Sequence, residues 1–487
     1  MERIIGRKKE IKELKDLYNS GKAEFVAIYG RRRIGKTFLV DEALKGKITF
    51  RHAGLSPVDE STEKNSLKNQ LKHFYLSLQL QGMKKSKCPT TWLEAFFLLS
   101  KYLEEKDNGD RQVIFLDELP WLDTPRSGFI TAFEGFWNTW ACHRSNIMLV
   151  CCGSANSWML NNLVNNHGGL YGRTTYEIKL APFTLNECEA YYQSKGIKMS
   201  RYDIAQGYMI LGGIPYYLGY MKKGLSLAQN IDQLFFANNA KLKIEYDRLF
   251  ASVFSNPEEM KRIVNFLGTK HMGYTRLEIS NALHIATSGN LSKMLGALIA
   301  SDFIENYVPF GYSKRQEHYR LTDPFCLFFQ KFANGRDTLD DNFWMHNIDS
   351  SAINSWRGIA FEEICFLHIN QIKRALGIAG VSSAQSAWID KGNENKEGLQ
   401  IDMLIDRKDN IINMCEMKFY NEDFSVSKAY HSILMHRQNS LAEHISKKKA
   451  IHSTLITTYG LKYNEYSGDF QQVITLDDLF KNETNVL

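Results

Sequence analysis

No C-x-x-C pair occurs among the 8 cysteines (Cys88, Cys142, Cys151, Cys152, Cys188, Cys326, Cys365, Cys415), and most of them sit inside apolar runs. Neither a disulfide framework nor a zinc site is indicated, and reduced, buried thiols are expected. Proline is scarce at 9 residues, and no internal repeat or low-complexity linker interrupts the chain, so collagen-like, disordered and solenoid architectures are excluded. No run reaches the ~18 apolar residues of a membrane span. The N-terminal stretch Met1 to Lys8 has no apolar signal segment either, so a cytoplasmic protein without membrane contact is expected. A strong charge of one sign is also missing: a net +6 over 487 residues neither requires nor excludes nucleic acid. What is present, 44% hydrophobic and 23% charged residues, is the composition of an ordinary globular protein. The length calls for roughly three packed domains.

Between about residues 23 and 180, short β-rich runs alternate with helical patterns, the sign of a parallel sheet wrapped by helices. Phe25 to Tyr29, Val113 to Leu116 and Ile147 to Cys152 are almost continuously apolar, as strands covered on both faces should be. From 183 to 255 a helical pattern broken at Gly212-Gly213-Ile214-Pro215 reads as a small lid. In 256–330, helical periodicity precedes two strand-like runs, Ile304 to Val308 and His318 to Leu321, which suggests a winged helix. A connector (331–355) leads to an α/β segment (356–487). There a helix at 357–375, strands near 399–405 and 411–419, a helix near 425–445 and a strand at 451–458 are expected.

Gly30-Arg31-Arg32-Arg33-Ile34-Gly35-Lys36-Thr37 matches G-x-x-x-x-G-K-T and lies between a buried strand and a helix beginning at Phe38, where a phosphate-binding loop belongs. Glycines let the backbone wrap the phosphates, its N–H groups point at the anion, and the helix N-terminus adds partial positive charge. Lys36 is expected on the β- and γ-phosphates of ATP and Thr37 on Mg²⁺, while Arg31, Arg32 and Arg33 either add charge or face solvent. The strand Val113 to Leu116 then delivers Asp117 and Glu118 at its C-terminal end. Asp117 suits the magnesium side and Glu118 the attacking water.

These motifs, with Ile5-Gly6-Arg7 before them and Gly153-Ser154, Leu170-Tyr171-Gly172-Arg173 and Gly212-Gly213-Ile214-Pro215 after them, occur in an order that resembles archaeal and bacterial P-loop ATPases of the AAA+-related STAND group. The resemblance covers roughly 1–330. It implies an ATPase core at 1–182 followed by lid and winged helix, with Arg7 near the adenine, and Ser154, with Asn156 nearby, as a polar sensor between water and γ-phosphate. It further implies that Arg173 stabilises transition-state charge in its own site or a neighbour's, and that Pro215 touches the base. Nucleotide-dependent contacts between copies of the chain are part of the same expectation.

A second chemical signal lies in Gln400-Ile401-Asp402 and Glu416-Met417-Lys418, on two apolar strands joined by the polar turn Arg407 to Asn410. Residues two apart on a strand share a face, so Glu416 and Lys418 project together, and a paired strand can bring Asp402 to them. Two carboxylates and an ammonium suit magnesium-dependent phosphodiester cleavage: Asp402 and Glu416 as metal ligands, Lys418 positioning or deprotonating the nucleophile. The preceding helix offers Glu362 and Glu363. The order Glu, Asp, Glu-x-Lys resembles the PD-(D/E)XK restriction-endonuclease-like fold, which by position favours Glu362, with Ile401 in place of the usual proline. From 357 to 487 the basic residues do not outnumber the acidic ones, so DNA contacts would come partly from elsewhere, such as Lys447-Lys448-Lys449 or the winged helix. The expectation is an ATPase whose nucleotide state controls a nuclease-like domain acting on DNA, in defence or DNA processing. The alternatives are a signalling switch whose C-terminal domain binds a partner without catalysis, and an origin-recognition-type DNA-binding ATPase.

Overall fold

The computed structural model describes residues 4–56, 66–165, 168–287, 289–335, 340–390 and 398–482. They form two compact units, one of residues 1–182, 247–261 and 293–302, the other of 183–246, 262–292 and 303–487. Among the described residues no helix is long and apolar enough to cross a membrane.

Five parallel strands build the first unit: β1 (Glu24–Tyr29), β2 (Ile48–Ala53), β3 (Gln112–Asp117), β4 (Ile147–Gly153) and β5 (Tyr176–Lys179), in the order β2-β3-β4-β1-β5. β1, β3 and β4 occupy the centre and are buried along nearly their whole length, which is why their sequences carry no polar alternation. Alternate side chains of β1 leave on opposite faces. Phe25, Ala27 and Tyr29 enter an aromatic-rich core with Phe74, Trp92, Phe96, Phe129 and Phe133 from three helices, Leu67–Leu80, Trp92–Glu105 and Phe129–Thr139. Val26 and Ile28 enter a smaller aliphatic core with Leu14, Leu39 and Val40 from helices Lys8–Tyr18 and Lys36–Ala43. Each fully buried Val, Leu, Ile or Phe among them contributes about 1.5–3 kcal/mol of transfer free energy.

In the second unit, Thr184 and Glu187 form a reciprocal capping box on the helix Leu185–Ser194. Ser200 caps the helix Arg201–Leu211, which ends at Gly212 in the left-handed conformation (φ 67°). The next residue, Gly213, is also left-handed, and a Cβ there would stand 2.3 Å from the Phe183 carbonyl oxygen, so the break in the helical pattern is a turn that only glycine fits. The stretch from Pro257 to Leu321, of which residues 257–261 and 293–302 belong to the first unit, runs helix Pro257–Leu267, β6 (Tyr274–Thr275), helix Arg276–Leu283, helix Gly289–Ala300, β7 (Ile304–Tyr307) and β8 (His318–Leu321), with the strands paired antiparallel in the order β6-β8-β7.

The C-terminal part holds the helix Ser351–Leu367, then β9 (Ser383–Asp390), β10 (Leu399–Arg407), β11 (Ile411–Lys418), helix Lys428–His444, β12 (Ala450–Thr457) and β13 (Gln472–Thr475). β9, β10 and β11 form an antiparallel meander, and β12 and β13 continue it in parallel, giving the order β13-β12-β11-β10-β9. The expected hairpin is β10–β11, turning through Asn410 with φ 65°. The helix expected at 357–375 begins earlier and is interrupted after Leu367. Six of the cysteines are buried; Cys88 is exposed and Cys142 partly so.

Candidate functional site

The loop Gly30 to Thr37 runs from the end of β1 into the helix Lys36–Ala43, whose N-cap Gly35 is left-handed (φ 94°). At Gly30 a Cβ would lie 2.5 Å from the Leu180 carbonyl oxygen, so the root of the loop requires glycine. Ile34 anchors the loop in the aliphatic core, and Arg31 is buried, whereas Arg32 and Arg33 are partly exposed. The Arg32 guanidinium lies over the Trp121 ring, 5.8 Å from its centroid. Lys36 Nζ is buried and donates to the Gly30 and Arg31 carbonyl oxygens at 2.9 and 3.3 Å. Burial lowers its pKa, and the carboxylates of Glu118 and Asp117 pull it back.

β3 ends on the acidic pair. Thr37 Oγ1 donates to Asp117 Oδ2 at 2.7 Å, so the hydroxyl and the carboxylate stand side by side as hard oxygen donors of the kind a magnesium ion takes. Burial raises the pKa of Asp117, while the Thr37 hydrogen bond acts against it. Glu118 is held left-handed (φ 45°) at the start of a short turn, a sparsely populated conformation for a residue with a Cβ. Its carboxylate accepts from Ser154 Oγ at 2.7 Å on both oxygens and from Ser154 N at 3.2 Å on one. Gly153 makes this approach possible, because a Cβ there would meet Met159 Sδ and Pro120 Cδ at 2.7 Å. Lys36, Thr37, Asp117, Glu118 and Ser154 are thus gathered at the C-terminal ends of β1, β3 and β4.

The other expected residues fall differently. Arg7 is buried and left-handed (φ 56°) at the N-cap of the helix Lys8–Tyr18. Arg173 is exposed in the turn before β5 and is not hydrogen-bonded or ion-paired to Lys36, Thr37 or Glu118. Pro215 opens the short helix Pro215–Leu218 in the second unit. Asn156, expected near Ser154, is buried, and its Oδ1 accepts from Gly30 N at 2.9 Å at the root of the phosphate loop.

In the C-terminal sheet, Asp402 and Glu416 each lie one residue beyond the Met403–Cys415 pair of the β10–β11 ladder. Glu362, on the helix Ser351–Leu367, is close enough to Asp402 and Lys418 to feel both charges. Lys418 Nζ stands 3.8 Å from Glu416 Oε2. Each carboxylate, however, already has a protein donor. Glu416, 3% exposed, accepts from Arg437 Nη1 at 2.7 and 2.9 Å and from the Tyr430 hydroxyl. Glu362 Oε2 lies 2.8 Å from His271 Nε2, and Asp402 Oδ1 accepts from Gln400 Nε2 at 2.5 Å. Glu363 pairs with Arg320 at 2.9 Å. Among the described residues, no group of three or more His, Cys, Asp or Glu could hold a metal ion. One oxygen each of Glu362 and Asp402 and both oxygens of Glu416 thus face a ring nitrogen, an amide or a guanidinium of the protein. Arg437, Tyr430 and His271 carry no motif of their own, and only the fold brings them here.

Residues 4–221 match a family described as an ATPase domain predominantly from Archaea. The chain carries an archaeal-type P-loop ATPase domain. An uncharacterized protein of Methanocaldococcus jannaschii, MJECL04, is 28% identical over 369 residues, which is 74% of this chain and 76% of that protein. An uncharacterized ATP-binding protein of the same organism, MJ0423, is 42% identical over 44 residues, 9% of this chain and 75% of its own length. Among solved structures, the Walker-type ATPase PABY2304 of Pyrococcus abyssi aligns at TM-score 0.46 and 17% identity, covering 67% of this chain and 96% of that one. The ORC2 protein of Aeropyrum pernix with ADPNP and ADP aligns at 0.43 and 13%, covering 67% and 93%. The phosphate loop, the acidic pair and Ser154 lie within the matched residues, and the C-terminal sheet lies beyond them.

Proposed function

We propose that the ATPase domain hydrolyses magnesium-bound ATP, and that its nucleotide state controls a C-terminal restriction-endonuclease-like domain that acts on DNA. The observation that carries the first half is the contact of Thr37 Oγ1 with Asp117 Oδ2 at 2.7 Å beside the buried Lys36 ammonium. Backbone N–H groups of the loop and Lys36 bind the phosphates, in place of the loop carbonyls that Lys36 now faces. Thr37 and Asp117 would hold Mg²⁺, which when bound neutralises phosphate charge. Glu118 orients the attacking water and accepts its proton, and Ser154, hydrogen-bonded to Glu118, is placed to sense the γ-phosphate. Arg7 would lie near the adenine, and an exposed Arg173 suits transition-state stabilisation supplied to a neighbouring copy. Glu118→Gln should retain ATP while losing hydrolysis; unchanged turnover in a radiolabelled phosphate assay would remove Glu118 from this role.

Three features support the DNA-directed half: the helix-strand-helix-helix-strand-strand order between Pro257 and Leu321, the mixed sheet with a three-strand meander, and the nearness of Glu362, Asp402 and Lys418. Purified protein with Mg²⁺ or Mn²⁺ should nick plasmid DNA, and Asp402→Ala should stop nicking with ATP hydrolysis intact. One observation favours the second reading, a C-terminal domain that binds a partner without cleaving: Arg437 holds both oxygens of Glu416, where a metal would have to bind. Wild-type protein that cuts no DNA or RNA would decide for that reading.

A further inference from the structure

Asn156 has no assigned part in hydrolysis, yet it is fully buried two residues past Ser154 and spends both ends of its amide on the protein. Oδ1 accepts from Gly30 N at 2.9 Å, and Nδ2 donates to the Ala300 carbonyl oxygen at 2.9 Å. Only the carbonyl end can accept and only the amino end can donate, so these two partners fix the orientation of the group. The first bond extends the β1–β4 ladder one step past its last pair, Tyr29–Gly153, with a side chain standing in for a strand. The second caps the helix Gly289–Ala300, since the last four carbonyls of a helix have no partner within it. Residues 293–302 belong to the same compact unit as the phosphate loop. They are tied to it a second time by Lys179 Nζ and Asp302 Oδ1 at 2.6 Å.

We infer that Asn156 is a positioning residue that links the root of the phosphate loop to the C-terminal end of the helix Gly289–Ala300, so that nucleotide occupancy is felt by the segment Lys293–Asp302. Phosphate binding turns the N–H groups of such a loop toward the anion. Gly30 is where that turning begins, and its own N–H is held by Asn156 rather than by a strand. On the far side, a Cβ at Gly30 would strike Leu180, so the loop has no slack in that direction. Asn156 takes up the change, and Ala300 is the next group in line. The helix end then leads in sequence directly to β7.

The inference rests on ATP binding by the P-loop and not on any nuclease activity. Hydrogen exchange of the full chain, with and without a non-hydrolysable ATP analogue and Mg²⁺, tests it, with affinity measured in the same samples by a fluorescent ATP analogue. In wild type, nucleotide should slow exchange in 293–302 about fivefold, roughly one hydrogen bond's worth. Asn156→Ala should still bind nucleotide but lose that response. Should Asn156→Ala fail to fold, Asn156→Asp keeps the acceptor for Gly30 N–H, removes the donor for Ala300, and should lose the response equally. Asp302→Asn, which breaks the Lys179 pair and retains a side chain tolerant of the left-handed φ of 59°, should preserve it. A full response in either Asn156 variant overturns the inference, as does its loss in Asp302→Asn or its absence from wild type that binds nucleotide. Wild type that binds no nucleotide overturns the ATPase reading along with it.

Discussion

The two acidic sites of this chain are held together by different chemistry. At the phosphate loop the carboxylates lean on neutral hydroxyls, Asp117 on Thr37 and Glu118 on Ser154, and the cation Lys36 leans on backbone carbonyls. In the C-terminal sheet, Glu416 is held by the guanidinium of Arg437 and Glu363 by that of Arg320. Neutral partners give way readily to a phosphate or a metal, because each net hydrogen bond is worth only about 0.5–1.5 kcal/mol. A buried ion pair does not: losing one partner strands the other charge at a cost of roughly 3–5 kcal/mol. The partners at the phosphate loop are of the kind that gives way, whereas the one that holds Glu416 is not.

The largest effect should come from breaking that second site. Arg437→Ala leaves the buried Glu416 with only the Tyr430 hydroxyl and Lys418, 3.8 Å away, beside it, and should lower stability by about 3 kcal/mol in urea unfolding. Adding Glu416→Gln should recover much of the loss; a single variant as stable as wild type would mean that the pair does not hold the site closed. Next, Glu118→Gln should cut ATP turnover by about a hundredfold or more with nucleotide binding retained.

Acid should act on both units alike. Burial lowers the pKa of His52 in the first unit to about 3 and that of His368 in the second to about 4, from 6.5. Both are neutral when folded, and His368 Nε2 accepts from Leu185 N at 3.0 Å, a bond that protonation destroys. The unfolded chain takes up protons first, so stability is complete above pH 6.5 and is lost as pH falls toward the folded values. Between pH 6.5 and 5 each group should cost about 2 kcal/mol. His52→Gln and His368→Gln should each flatten the slope of stability against pH; an unchanged slope would show that these rings are not its source. Smallest is Ser154→Ala, which removes one donor from Glu118 and should slow turnover roughly tenfold; no change in turnover would mean that Ser154 is only a strand-end residue.

Much of the first site was legible because its parts are local. The loop needs its glycines, lysine and threonine at fixed spacing, and an apolar strand ending in Asp-Glu announces the rest. The central strands were legible for a related reason, since burial on both faces leaves an unbroken apolar run. β2 and β5, at the sheet edges, were not: Ile48–Ala53 carries Arg51 and His52, and Tyr176–Lys179 carries Glu177 and Lys179, so neither makes such a run. In the C-terminal sheet the hairpin and the shared face of Glu416 and Lys418 were readable from period two. That Arg437 and His271 would take the carboxylates was not, because a pairing across 21 or 91 positions leaves no local pattern. Asn156 was hidden likewise: it reaches back 126 residues and forward 144.

β1 separates an aromatic compartment from an aliphatic one, with Phe25 committed to the first and Val26 to the second. A slip of one residue would exchange every side chain between compartments that differ in size and shape. The strand therefore has one permitted setting and no intermediate ones. Since Gly30 follows directly on Tyr29, the height of the phosphate loop above the sheet is indexed like a notch on a rule. Whatever nucleotide does to this protein, it cannot do by sliding that strand.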